Sequence, residues 1–202
     1  MWSKGGEYKM IYALLAVALI LVMWIISTYN FFVSTKTRVG AAIQEIGNQL
    51  KRQAELIPNL ESSAKGYLSH EKEIFEELTN ARKAISSAVS SGNVNKMADA
   101  GKMLSDVLPK IQVVVESNPE IKGSEVVKTL MDELRDTSDK VMYSRRLLID
   151  LTADYNVKRV SVPSNIVAGM FHFEALKGLQ TPNSDDSLSV SEEEMKTPKV
   201  NL

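Results

Sequence analysis

Between residues 39 and 88 the apolar positions advance by alternating steps of four and three, and a proline stands in their path. Val39, Ile43, Ile46, Leu50 and Ile57 precede Pro58, with polar Gln53 holding one place in the series. Leu60, Ala64, Tyr67, Ile74, Leu78, Ala81, Ile85 and Ala88 follow it, with Glu71 in register. This is the seam of a helix packed on another helix; a half-buried strand would alternate at every second residue. Two further seams follow. One reads Val94, Met97, Gly101, Leu104, Leu108, Ile111, Val115; the other Val127, Leu130, Leu134, Thr137, Val141, Ser144, Leu148, Leu151, Tyr155. Ser90-Ser91-Gly92-Asn93, then Asn118-Pro119 with Gly123, separate them with helix-stopping residues, and Ser124 is placed to cap the last. No strand-like alternation competes, so the fold class is all-α.

Pro58 decides how these seams are arranged. One helix over residues 39–88 would be roughly 75 Å long, while the later seams offer partners of only about 33 and 48 Å, leaving much of it in water. A proline inside a helix costs about 3 kcal/mol and biases the residue before it away from helical geometry, whereas at the first position of a new helix it costs little. These arguments favour a reversal at Pro58 and an antiparallel four-helix bundle. Pro109 lies in a helix too short to split profitably, which predicts a kink there. Residues 157–165 read as extended, entering a short helical run over 166–173 that packs on the end of the bundle.

Residues 10–26 are seventeen consecutive apolar residues, and no charged side chain occurs from Met10 to Thr35. A bilayer core of about 30 Å takes about 20 residues of helix, a length reached by continuing through Tyr29, Phe31 and Phe32. Tyr8 and Tyr12 at one end, and Trp24 and Tyr29 at the other, suit the aromatic belts of the two interfaces. A cleaved signal peptide would have an apolar stretch of about 7–15 residues ending in small side chains. Here Trp24-Ile25-Ile26 stands at that place, which predicts an uncleaved single-pass anchor. Lys4, Lys9 and the amino terminus nearly balance Lys36 and Arg38, so the basic residues assign the bundle to neither side of the membrane. The expected organisation is a short tail (1–9), a transmembrane helix (10–33), the bundle (34–179) and a tail (180–202). The tail carries Asp185, Asp186, Glu192, Glu193 and Glu194 among serines, has no apolar period, and is expected to be disordered.

With a net charge of −1 and 24% charged residues, the chain has no field to attract nucleic acid, and without cysteine it has no disulfide, thiolate nucleophile or lipoprotein anchor.

Short blocks of the sequence carry a resemblance. They are YNFFV after the apolar run, QLKRQAELIPNL, KGYLSHEKEIFEELTNARKA, ESNPEIKGSE, SRRL, ADYN and VPSNIVAGMFHF. In this order and spacing the chain, over about residues 29–173, resembles the LemA family. The matching motif residues are Leu56, Ile57, Pro58, Asn59, Leu60, Gly66, Tyr67, His70, Glu71, Arg82, Arg145, Tyr155, Asn156, Pro163, Ser164, Asn165 and Gly169. Gln53 stands where the family has a basic residue, Leu148-Ile149 replaces a first Tyr-Asn pair, Val162 replaces a Phe, and the acidic tail is an addition. The resemblance implies a membrane-anchored four-helix bundle in bacteria with no established catalytic activity. Some relatives occur near a membrane metalloprotease of heat stress, and others, of the MamQ type, in magnetosome membranes.

The residues themselves point away from catalysis, because no phosphate loop, nucleophile–base pair or Gly-rich cofactor motif is present. No cofactor is expected. His70, Glu73 and Glu77 share a helical face and form the one cluster with metal-ligand character, the alternative being a metal- or ligand-sensing bundle. They lack the paired Glu-x-x-His of di-iron bundles, since Tyr67 and Gly169 stand three residues before His70 and His172. Glu71 on the seam would need Arg145 or Arg146 as partner. Asn59 is a candidate cap, and Asn156 with Tyr155 would satisfy backbone groups at the bundle end. The expected partners are the lipid bilayer through residues 10–33, an unidentified membrane or envelope protein, and a second copy of the chain, with no nucleic acid.

Overall fold

The seams become helices in a computed structural model that describes residues 4–64 and 72–179. The helices are α1 (Lys4–Ala64), α2 (Lys72–Ser91), α3 (Val94–Ser117), the single turn α4 (Pro119–Lys122), α5 (Glu125–Val160) and α6 (Ser164–Met170). Nearly every seam position inside them is buried or half-buried. Gly92 takes a positive φ of 64°, a conformation glycine adopts without a Cβ penalty, and the Asn93 side chain accepts from the N–H groups of Asn95 and Lys96 to start α3. Ser124 caps α5 by accepting from the Val127 N–H.

Cross-helix contacts fix the topology. Arg52 meets Glu133, Gln53 meets Ser138 and Phe32 meets Tyr155, so α1 and α5 run antiparallel. Thr79 donates to Glu61, Lys110 to Glu77 and Arg135 to Gln112, which makes α2 antiparallel to α1, α3 to α2 and α5 to α3. Helices α1 and α3 meet across the diagonal, where a Cβ on Gly101 would lie 3.4 Å from Leu50 and 3.5 Å from Val141. This is an up-down-up-down four-helix bundle with one continuous aliphatic core.

The reversal expected at Pro58 is not there. Helix α1 passes through Pro58 and continues to Ala64. Residues 39–88 are divided between two helices, as their length requires, but the division comes after Ala64 and not at Pro58. Continuing for six more residues buries Leu60 and Ala64. One fully buried leucine contributes about 1.5–3 kcal/mol, comparable with the roughly 3 kcal/mol that an interior proline costs. The Ser62 hydroxyl also donates to the Pro58 carbonyl at 2.7 Å. From Val39 to Ala64 the helix spans about 39 Å, close to the length of α3. Helix α3 likewise runs unbroken through Pro109.

A second departure is at the other end. Residues 157–160 were expected to be extended, yet α5 continues to Val160 before the Ser161–Pro163 corner. Tyr155 and Ser164 are both buried there, and Lys158 and Arg159 in the last turn suit the negative end of the helix dipole. The short terminal helix appears as α6.

Helices α1 and α5 outreach the α2–α3 hairpin. Met97, three residues into α3, lies against Gly47, so α1 residues before that level lose α3 as a partner. Beyond it α1 is covered by the last turns of α5, by α6 and by residues 171–179, which fold back along α5. Still earlier, in the most apolar stretch of α1, no residue is buried among the described residues.

Candidate functional site

The motif residues fall at opposite ends of the molecule. Leu56, Ile57 and Leu60 are buried in the core near the far end, with Pro58 half-buried and Asn59 exposed in mid-helix, where it caps nothing. Gly66, Tyr67, His70 and Glu71 lie outside the described residues. Arg82 is exposed on α2 and Arg145 half-buried on α5. Tyr155, Asn156, Pro163, Ser164, Asn165 and Gly169 gather at the near end, beside the point where the apolar stretch of α1 emerges.

Here they build a collar around α1. Phe32 is fully buried, with its ring 5.2 Å from Tyr155 in an edge-on contact and 4.8 Å from Phe173 in a stacked one. Tyr29 meets Phe171 edge-on at 4.8 Å. Such pairs contribute about 0.5–1.5 kcal/mol each beyond the area they bury. The Lys158 ammonium sits 4.1 Å from the centre of the Phe31 ring, a cation–π contact. Burial pushes the Tyr155 phenol above its ordinary pKa; the charge of Glu174 acts in the same direction and that of Arg159 against it.

Polar groups fasten the collar. The Asn156 amide donates to the Leu176 carbonyl at 2.9 Å while its oxygen accepts from the Leu176 N–H at 3.0 Å. That double bond satisfies the backbone of a segment that has no ladder of its own. The buried Ser164 hydroxyl lies 2.6 Å from the Lys158 carbonyl, an acceptor left over at the end of α5, and 3.0 Å from that of Ser161, which also accepts from the Asn165 N–H. Gly178 lies so close to α5 that a Cβ would stand 3.1 Å from Thr152 Cγ2. Gly169, by contrast, has open space where its Cβ would go.

A second feature lies on the outer side of α1 and α5. An open groove of about 830 Å³ runs between them, lined among others by Arg38, Ala41, Glu45, Asp139, Tyr143 and Leu147. Tyr143 is 70% exposed. Inside the bundle beside it, Gln53 is almost wholly buried; its Nε2 donates to Ser138 Oγ at 2.9 Å, while its Oε1 accepts from no group among the described residues.

The chemistry available here is that of contact. Glu77, from the cluster with metal-ligand character, accepts from Lys110 Nζ through both oxygens, at 2.7 and 2.8 Å, and holds the lysine pKa up. Glu73 is exposed, and His70 lies outside the described residues. Among the described residues no three His, Asp or Glu converge as metal ligands. Phe32, read as part of the membrane span, and Phe173, read only as the end of the terminal helical run, were not singled out for the collar, and neither were Leu176, Gly178 or, for the groove, Tyr143. The aromatic density of YNFFV and MFHF was a usable signal for the first two; Gly178 and Tyr143 offered none.

A family model described as the LemA family matches residues 42–200 of the chain, and the chain belongs to that family. No curated protein matches it.

Proposed function

We propose that this LemA-family chain is a single-pass membrane protein that works by contact rather than by catalysis, holding its helical bundle and the groove on its side at a set height above the bilayer. The observation that carries this reading is the continuity of α1. One helix supplies an apolar length in which no side chain is buried among the described residues and, from Thr28 onward, the core of the collar and bundle. An uncovered apolar cylinder of that size far exceeds the patches of a few hundred Å² that soluble monomers expose, and a bilayer removes it from water. The same continuity argues for retention of the segment, since Thr28 and Phe32, buried in the collar, follow directly on the apolar run.

The groove then opens sideways. It begins at Arg38, nine residues past Tyr29 and therefore about 14 Å further from the membrane. Its small alanines, its apolar Tyr143 and Leu147, and its charges of both signs suit a helix laid along it. The partner we infer is a helix of another membrane or envelope protein. The test is sedimentation with membranes followed by affinity recovery of the wild type and of Tyr143→Glu. The expected result is a chain that stays with the membrane pellet after salt washing and brings down a stoichiometric protein partner, which Tyr143→Glu loses without any change in melting temperature. A chain recovered from the soluble fraction, or a recovered set of proteins identical for the two forms, overturns the reading.

A further inference from the structure

The face of α6 that turns away from the bundle carries Ile166, Gly169 and Met170 with one polar residue, Asn165, beside them, the reverse of a helix resting on a soluble protein. Ser164, Val167 and Ala168, spaced three and four apart, are buried against α1 and α5. Ile166 and Met170 on the opposite side are 62% and 59% exposed, and Val160 and Val162 at the corner before α6 are 61% and 80% exposed. From Val160 to Phe173 there are fourteen residues without a lysine, arginine, aspartate or glutamate. No stretch so long and charge-free occurs elsewhere among the described residues outside the N-terminal apolar run.

Position along α1 supplies the second half of the argument. Phe32 faces Tyr155 in an antiparallel pair, so Val160, five residues further along α5, is level with Ser27, five residues back along α1. Ser27 directly follows the apolar run of residues 10–26. Phe171, at the end of α6, touches Tyr29. The interfacial layer on each side of the hydrocarbon is roughly 5–7 Å deep, about four residues of helix. The α5–α6 corner and α6 therefore stand at the depth of the lipid headgroups. Lys158, whose ammonium packs on the Phe31 ring, sits just behind the corner at the depth of lipid phosphates.

From this the geometry points to a second membrane contact: the outer face of α6, with the Val160–Val162 corner, enters the headgroup–acyl boundary of the same bilayer that α1 crosses. The inference rests on the anchor proposed above. The exposed apolar surface of α6 continues that of α1, and a lipid surface is what meets both. The bundle is then held to the membrane at two places, which fixes its rotation about α1 as well as its height.

The test uses the full chain in vesicles of phosphatidylcholine and phosphatidylglycerol, some made with lipids brominated near the top of the acyl chains. The native Trp24 reports the anchor. In a Trp2→Phe, Trp24→Phe background, Ile166→Trp and separately Val162→Trp report the corner and α6, and Tyr143→Trp reports exposed bundle surface. A side chain sunk about 5–10 Å into the interface is expected to lose about half its emission to brominated lipid and to resist aqueous iodide. Position 143 is expected to show the opposite. Iodide quenching at both 162 and 166 matching that at 143 would overturn the second contact while quenched Trp24 keeps the anchor. Protection at 162 and 166 from bromine and iodide alike would mean that protein covers the face, and would overturn it too. An unquenched Trp24 would overturn the anchor itself.

Discussion

The four-helix part and the collar are joined end to end, yet they are held together differently. In the bundle each helix contributes a residue to the core every three or four positions, and the residues are leucine, isoleucine, valine, alanine and two methionines. In the collar the covering elements are the end of one helix, a seven-residue helix and a backbone segment with no regular structure. Their contacts are a handful of ring pairs, one stacked and the rest edge-on or tilted, one asparagine clamp and one glycine approach. Stability in the first is spread over many interchangeable groups. In the second it is concentrated in a few that have no substitute. The bundle should therefore tolerate conservative repacking that the collar does not.

The largest expected effect belongs to the collar. Phe32→Ala removes the ring that Tyr155 and Phe173 close on and should cost about 3–5 kcal/mol. Hydrogen exchange should accelerate over residues 164–179 while α2 and α3 stay protected. Loss of protection everywhere at once would show that the two regions are one cooperative unit and break the comparison. Leu104→Ala, at a fully buried bundle position, should cost about 2–5 kcal/mol, with urea unfolding shifted and the collar amides following rather than leading. Asn156→Ala leaves the Leu176 N–H and carbonyl without partners and should cost about 1–3 kcal/mol. Asn156→Asp, which keeps the acceptor and loses the donor, should fall between it and wild type in melting temperature. Gly169→Ala is the smallest change. With open space around the site and no positive φ, it should raise helix stability by about 0.5–1 kcal/mol. A drop in melting temperature would mean that the motif glycine serves a contact made only in the membrane.

This difference also explains what the sequence disclosed. A repeating seam announces itself, so the central line of buried positions in the bundle helices was legible, down to polar Gln53 on the inside, while flanking buried residues such as Ala42, Val107 and Met131 were not. Ser124 was readable as a cap, and Gly92-Asn93 as a helix stop though not as the cap of α3, because turn and cap chemistry is local. The end of α1 was not, because it depends on a balance of a few kcal/mol between the penalty at Pro58 and the burial of Leu60 and Ala64. The tail of α5 was misread as extended because its valines and Pro163 favour that locally, while tertiary burial of Tyr155 and Ser164 decides otherwise. Of the site, the polar residues of ADYN and VPSN could be singled out through the family resemblance. The return of residues 171–179 could not, since a segment held by two rings, one amide and one close approach leaves no period to read.

Helix α1 has one more property, which is mechanical. From Tyr29 to Ala64 it runs for about 53 Å without an interruption in its helical path. Anchored as proposed, its upper end has no joint to absorb a change of angle below. Transmembrane helices commonly tilt by about 20°, and tilt follows the match between apolar length and bilayer thickness. A tilt of that size would swing the Ala64 end sideways by about 18 Å, so the thickness of the surrounding membrane would set which way the bundle leans and how far it reaches.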